Sequence, residues 1–264
     1  MNIKEIANNL NILLDLDREI VGIKVLKSLE EYNQYEGRQL VSPISYCVAV
    51  KSATLGHCLK INSTTSGCFG GNRALGFSSP GEDYFSGVRG CGLGLYKDEK
   101  VAAKVAHELE NLTTDTYGAI IKPLMAFENM PDVILIVSNT REAMRVLQAY
   151  TYEYGLTKGF KLSGNQAVCV EATSFPMNTK ELNISMFCSG TRHKAHWGSD
   201  EVIIGVPIEK AEGLINGLKG TVNAIEYNDR KNEIQKGLES INSLDFEIDY
   251  SKTYFSTWRK QDAE

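Results

Sequence analysis

The sequence predicts an α/β protein, α+β in the grouping of its elements, built as a tandem duplication of one α/β module packed about a pseudo-twofold axis. Three observations lead there. Apolar runs of strand length, such as Val133-Ile134-Leu135-Ile136-Val137 and Glu201–Val206 (EVIIGV), alternate with amphipathic stretches of helical period. Cys47 and Cys68 in the first half are matched by Cys169 and Cys188 in the second, at spacings of 21 and 19 residues. Further landmarks follow in the same order, with Arg73 matching Arg192 and Gly87-Val88-Arg89 matching Gly205-Val206-Pro207. A period this long describes two large modules rather than a solenoid of small repeats. The expected organisation is a first module over 1–115, a second over 116–226, and a C-terminal helix and tail over 227–264.

Element by element, Ile3, Ile6, Leu10, Leu13 and Leu14 recur at helical spacing and give a first helix with one apolar face. Ile20–Leu26 is β-rich, and Glu30–Arg38 is polar helix or loop. Ser42-Pro43 opens a helix through Cys47 to about Ala53, because proline is tolerated in a first turn. Cys58–Ile61 reads as a strand, and Asn62–Gly71 as a loop rich in Asn, Ser, Thr and Gly. Asp98 caps a helix after the glycine-rich stretch Tyr84–Tyr96. Ala119–Leu124 and Val133–Val137 are strands, and Thr140–Tyr154 is a helix. The second half continues with an apolar helix from Gln166 to about Thr173, a strand over Leu182–Phe187, a strand over Glu201–Val206 and a helix over Pro207–Leu218. Asp229–Ile241 reads as a final helix, and Phe246–Trp258 as an extended aromatic tail.

Bulk properties narrow the functional classes. The chain has 264 residues, 42% hydrophobic and 23% charged, enough for a sizeable core. A formal net charge of −5 with scattered Lys and Arg argues against nucleic acid and against an anionic membrane surface as partners. The N-terminus opens an amphipathic helix rather than a signal peptide, and the longest apolar run is too short to span a bilayer. The expectation is a cytoplasmic protein whose six cysteines are thiols, metal ligands or redox groups rather than disulfides. A homodimer through an exposed strand edge is a further expectation.

Chemistry concentrates on the four paired cysteines. No C-x-x-C occurs, so metal binding by Cys47, Cys68, Cys169 and Cys188 requires the fold to bring four separate segments together. Thiolates so gathered would hold zinc or an iron–sulfur cluster. Cys68 and Cys188 are the stronger candidates for a reactive thiolate, since each precedes a Gly and then an Arg: Cys68-Phe69-Gly70-Gly71-Asn72-Arg73 and Cys188-Ser189-Gly190-Thr191-Arg192. Gly70, Gly71 and Gly190 would free backbone N–H groups for an anion, with Arg73 and Arg192 as its counter-charges. Three readings stay open: a metal, cluster or small-anion binder, with or without redox chemistry through the cysteines; an enzyme with Cys68 or Cys188 as nucleophile toward a small anionic substrate; or a non-catalytic structural or interaction protein whose cysteines pack. Secondary candidates are His193 and His196 beside Cys188 as a metal group, His57 next to Cys58 as a dyad, and Glu171 as a general base or ion-pair partner of an arginine.

The strings SYCVAVKSATLG (Ser45–Gly56), MPDVILIVSNTREAMRVLQAY (Met130–Tyr150), ISMFCSGTR (Ile184–Arg192) and DEVIIGVP (Asp200–Pro207) together resemble the DUF169 family of uncharacterised archaeal and anaerobic bacterial proteins. The resemblance runs from about Ile20 to Gly217. It implies that Cys47, Cys68, Cys169, Cys188 and Arg192 belong to the family pattern, whereas Cys58 and Cys91 do not. The glycine-rich link from Phe77 to Gly92 fits that pattern loosely. The resemblance implies no activity.

Overall fold

The structure, a computed structural model, describes residues 1–113 and 115–252. In chain order the first half runs α1 (Ile3–Leu13), β1 (Val21–Leu26), α2 (Leu29–Gln34), β2 (Arg38–Gln39), α3 (Tyr46–Ala53), β3 (Leu59–Asn62), α4 (Phe69–Ala74), α5 (Glu82–Phe85), α6 (Val88–Gly92), α7 (Glu99–Glu108) and β4 (Gly118–Pro123). It continues with β5 (Val133–Ser138), α8 (Thr140–Tyr154), a π-helix (Ala167–Ser174), α9 (Phe175–Thr179), β6 (Asn183–Ser185), α10 (Ser189–Ala195), β7 (Val202–Pro207), α11 (Ala211–Ile225) and α12 (Asn228–Ser240). Among the described residues no helix is long and apolar enough to cross a membrane.

The strands form one sheet in the order β2-β3-β4-β1-β5-β7-β6, antiparallel except for the β2–β3 edge. Leaving β2 aside, each half contributes three strands in the same arrangement. The first in sequence is innermost, the second outermost and the third between them, so β1, β3, β4 correspond in place to β5, β6, β7. The expected match of Gly87-Val88-Arg89 with Gly205-Val206-Pro207 fails. Gly87 caps a short helix, α6, whereas Gly205–Pro207 end β7. The strand in the corresponding place is β4. Pro123 and Pro207 close β4 and β7 with nearly equal backbone angles, and each leads into a turn of 3₁₀ helix, Leu124–Ala126 and Ile208–Lys210. Because β4 lies between β1 and β3, the strand at Gly118–Pro123 packs with the first half, although it follows residue 116 in sequence.

Both faces of the sheet are covered, which is why β5 and β7 read as unbroken apolar runs. Side chains of successive strand residues point to opposite faces. Ile134 and Ile136 therefore join Ile204 and Val206 in a core with Leu10 and Leu13 of α1, Val146 of α8, Leu214 and Leu218 of α11, and Ile234 of α12. Val133, Leu135 and Val137 turn the other way, to Tyr46 and Val50 of α3, Val168 of the π-helix and the ring of Trp197. The second layer carries the cysteines. Gly205 is required there, since a Cβ at this position would lie 1.9 Å from the Ala172 carbonyl oxygen of the π-helix.

Local chemistry sets the ends of the helices. Asn2 caps α1 by accepting from the N–H groups of Lys4 and Glu5, while the Glu5 carboxylate accepts from the Asn2 N–H at 2.8 Å. Asp98 caps α7 through Val101 N–H, as the sequence predicts. The helix carrying Cys47 starts later than the Ser42-Pro43 signal suggests, with Ser45 at its N-cap, because Ile44 instead bridges to Ser66. The apolar segment from Gln166 winds as a π-helix rather than an α-helix, with Glu171 N–H donating to the Gln166 carbonyl at 3.0 Å.

The C-terminal strap is held by buried lysines. Lys219 Nζ reaches Asp245 at 3.0 Å, and the fully buried Lys231 Nζ donates to the Asp249 carbonyl at 2.7 Å. Burial pushes the Lys231 ammonium below the usual lysine range. Phe246 and Ile248 pack on the core, while the expected tail beyond 252 lies outside the described residues. At the far end of α11, Glu226 accepts from Arg145 Nε at 2.6 Å with both side chains almost wholly buried, and from Arg141 at 3.0 Å. Glu226→Ala would leave Arg145 charged and unpaired in the core, and the expected loss is about 3–5 kcal/mol of folding stability by urea denaturation. A loss below about 1 kcal/mol would show that this pair does not anchor α8 to α11.

Candidate functional site

The four paired cysteines meet. Cys47 is the second residue of α3, and Cys169 lies in the π-helix. Cys68 and Cys188 occupy equivalent places, as the N-cap residues of α4 and α10, each after an outer strand has left the sheet. Both have the extended backbone that an N-cap requires. Helix α3 packs on α4, α10 and the π-helix, and α4 packs on the π-helix. Between these elements is a chamber of about 270 Å³ lined by Cys47, Cys68, Cys169 and Cys188 together with Tyr46, Gly70, Gly71, Gln166, Gly190, Thr191 and Lys194.

Burial pushes the Cys47 thiol up, opposed by hydrogen bonds from the hydroxyls of Ser45 and Thr191. Ser45 Oγ lies 3.2 Å from the sulfur. The Cys169 thiol is pushed up further, first by burial and then by the three neighbouring sulfurs, with Arg73 acting in the opposite sense. Cys169 is half-buried and faces the chamber. Cys188 Sγ accepts from the Thr191 N–H at 3.3 Å and lies 3.0 Å from Thr191 Oγ1, so one hydroxyl stands between Cys188 and Cys47. All six cysteines are free thiols. Among the described residues no three His, Cys, Asp or Glu side chains are grouped closely enough to hold a bare metal ion. The four thiols surround a space rather than closing on a point.

Of the predicted glycines, Gly70 and Gly190 leave open room in the chamber wall, while Gly71 lets α4 approach Tyr46, where a Cβ would sit 3.1 Å from the tyrosine Cβ. The two arginines part company. Arg73 is buried and faces an adjoining chamber of about 310 Å³. Arg192 lines neither chamber. Its guanidinium donates to the backbone carbonyls of Met186, Gly198 and Glu201 and stacks on Phe187, shaping the loop around Trp197. His193 and His196 are exposed and line neither chamber, as is His57 beside Cys58.

Among the described residues Glu171 has no arginine partner either. Its carboxylate accepts from Ser163 N–H at 2.7 Å, Gly164 N–H at 2.9 Å and the Ser185 hydroxyl, pinning the preceding loop and β6 to the π-helix. Local donors satisfy the buried carboxylate where sequence suggested an ion pair.

The adjoining chamber shares Cys68, Gly70, Leu95, Asn165, Gln166 and Lys194 with the thiol chamber. Its outer wall comes from α7 and from the preceding glycine-rich stretch with α5 and α6, which sequence patterning left without a role, and includes Tyr84, Arg89 and Tyr96. Among the described residues no Asp or Glu lines either chamber. Tyr46, Thr191 and Gln166 escaped sequence reasoning, though each lies within three residues of a paired cysteine.

Comparison with known proteins agrees with the resemblance in the motifs. An uncharacterised protein of Methanocaldococcus jannaschii is 31% identical over 229 residues, covering 85% of this chain and 94% of that protein. No solved structure matches. The DUF169 family, described as uncharacterised ArCR, matches residues 9–217, which include all four chamber cysteines, and the chain belongs to that family.

Proposed function

We propose that the thiol chamber binds an iron–sulfur cluster held by Cys47, Cys68, Cys169 and Cys188. One observation carries this reading: four cysteines, two from each half of the sheet, reach a single chamber from four separate segments. Four thiolates are the usual ligand set of such clusters, and a cluster spreads its ligands further apart than a zinc ion does. Bound thiolates and sulfide are electron-rich, which suits a lining with no carboxylate among the described residues and with Lys194 at the rim. Free thiols throughout fit a reducing cytoplasm. One-electron transfer is the chemistry such a cluster supplies. The shared strand order, the Pro123 and Pro207 corners and the equivalent N-cap cysteines support a tandem duplication in which each copy gives half of the ligand set.

Anaerobic purification followed by iron and acid-labile sulfide analysis tests the proposal. The expected result is brown protein with about four irons per chain. Cys68→Ser and Cys188→Ser should each lose most of the iron while keeping the wild-type circular dichroism spectrum. Protein that stays colourless and iron-free after anaerobic reconstitution would overturn the reading. Because burial holds Cys47 and Cys169 protonated, loading must displace their protons. Cluster retention against a chelator should therefore weaken as pH falls from about 8 to about 6, by up to about tenfold per displaced proton per pH unit.

A second reading is favoured by the basic chamber that opens beside Cys68: a thiolate enzyme acting on a small anion, with Cys68 or Cys188 as nucleophile. In iron-free protein it predicts that iodoacetamide at neutral pH modifies one of these two first. Cys47 and Cys169 should react slowly, at rates that keep rising with pH beyond the ordinary thiol range. Equal, slow labelling of all four would remove this reading and favour cysteines that only pack.

A further inference from the structure

Arg73 is a buried cation without a counter-ion. The residue is 8% exposed, and among the described residues it makes no ion pair. One amino nitrogen, Nη2, donates to Gln166 Oε1, and the guanidinium carbon lies 3.6 Å from the centroid of the Tyr84 ring. Gln166 Nε2 in turn donates to the Tyr84 hydroxyl at 3.2 Å, so the amide and the ring hold each other and the arginine in place. Among the described residues Arg73 Nε is buried with no hydrogen-bond partner, and Nη1 donates to none of them. An amide oxygen and an aromatic face offset only part of the desolvation of a full charge. A fold that orients such a group so firmly, beside an open chamber, is built to receive an anion there.

The chamber's other features narrow the ligand. Arg89 and Lys194 also line it, but Arg89 already faces Asp83 at 3.5 Å and stacks on Phe69, and Lys194 is exposed. That leaves one buried, unpaired positive charge, which matches one negative charge on the ligand. Most of the remaining wall is apolar, including Ala102, Val105 and Ala106 of α7. A volume of about 310 Å³ lies at the small end of ligand sites. We infer that this chamber binds a small organic monocarboxylate, with its carboxylate on Arg73 and its apolar body against α7, next to the Cys68 thiol. The inference names the substrate class of the thiolate reading, but it rests on Arg73 and stands whether or not the neighbouring chamber holds a cluster.

The test uses the full chain, iron-free and, where it forms, cluster-loaded, with butyrate and phenylacetate as probes and inorganic phosphate as the competing anion. Calorimetry and thermal unfolding should show saturable binding of at least one carboxylate and protection of Cys68 from iodoacetamide. Arg73→Met should weaken binding by about tenfold or more. It should also leave the ligand-free protein at least as stable as wild type, since it removes an uncompensated charge; a purely structural arginine would give a lower melting temperature. Gln166→Glu places a carboxylate beside Arg73 inside the protein. It should raise the ligand-free melting temperature and abolish carboxylate binding, which keeps the test decisive if Arg73→Met fails to fold. Absence of binding at millimolar carboxylate, unchanged affinity in Arg73→Met or Gln166→Glu, or tighter binding of phosphate would each overturn the inference. A missing cluster would leave it intact.

Discussion

The antiparallel pairing of β1 with β5 is the constraint on which the molecule depends. These innermost strands join the two halves through the register Val21 with Leu135, Gly22 with Ile134 and Ile23 with Val133. Both strands are covered on both faces, so a slip of one residue would exchange the two cores. Ile134 and Ile136 would leave the layer of α1, α8 and α11, and Leu135 would leave the layer of α3 and the π-helix. Close contact enforces the register. Gly22 lies where a Cβ would meet the Phe127 ring at 2.5 Å. With that seam set, β3 and β6 fall toward opposite ends of the sheet, and the segments leaving them turn back to the same chamber.

The thiol layer is held by polar groups rather than by packing alone. Tyr46 of α3 donates its hydroxyl to Thr173 of the π-helix at 2.8 Å, while Thr173 donates to the Val168 carbonyl at 2.7 Å. Glu171 gathers the preceding loop and β6 onto the same π-helix. Gly205 then allows that helix to touch β7 backbone to backbone. These contacts fix Cys169 opposite Cys47 in surroundings dry enough to keep both thiols protonated. Cys68 and Cys188, at the starts of short helices, mark the more open side. The chamber thus has two thiols, Cys47 and Cys169, pushed up by burial, of which only Cys47 is buried from solvent, and two at helix N-termini.

Much of this was legible beforehand where the signal is local or periodic. The amphipathic first helix, the strands at Val133–Ser138 and Val202–Pro207, and the helix capped by Asp98 follow from patterns that hold in any surroundings. The ordered cysteines separated four positions from Cys58 and Cys91, which line neither chamber. Equal sequence offset did not mean equal structure. Gly87 and Gly205 occupy similar places in the sequence but different structures, while the strand corresponding to β7, Gly118–Pro123, has no cysteine nearby to mark it.

The sequence by itself determined the alternation of strands and helices, the family and the four cysteines that belong together. Hydrophobic period, capping residues and residue identity are properties of short stretches of chain. Only the tertiary structure decided that those cysteines share one chamber, that Glu171 is satisfied by local donors, and that two arginines at matching positions act differently. Arg192 is surrounded by backbone carbonyls and is held by them, whereas Arg73 lies under Tyr84 beside an open chamber. A guanidinium's role is set by which groups reach it from distant segments, and that is decided by how β1 and β5 bring the halves together.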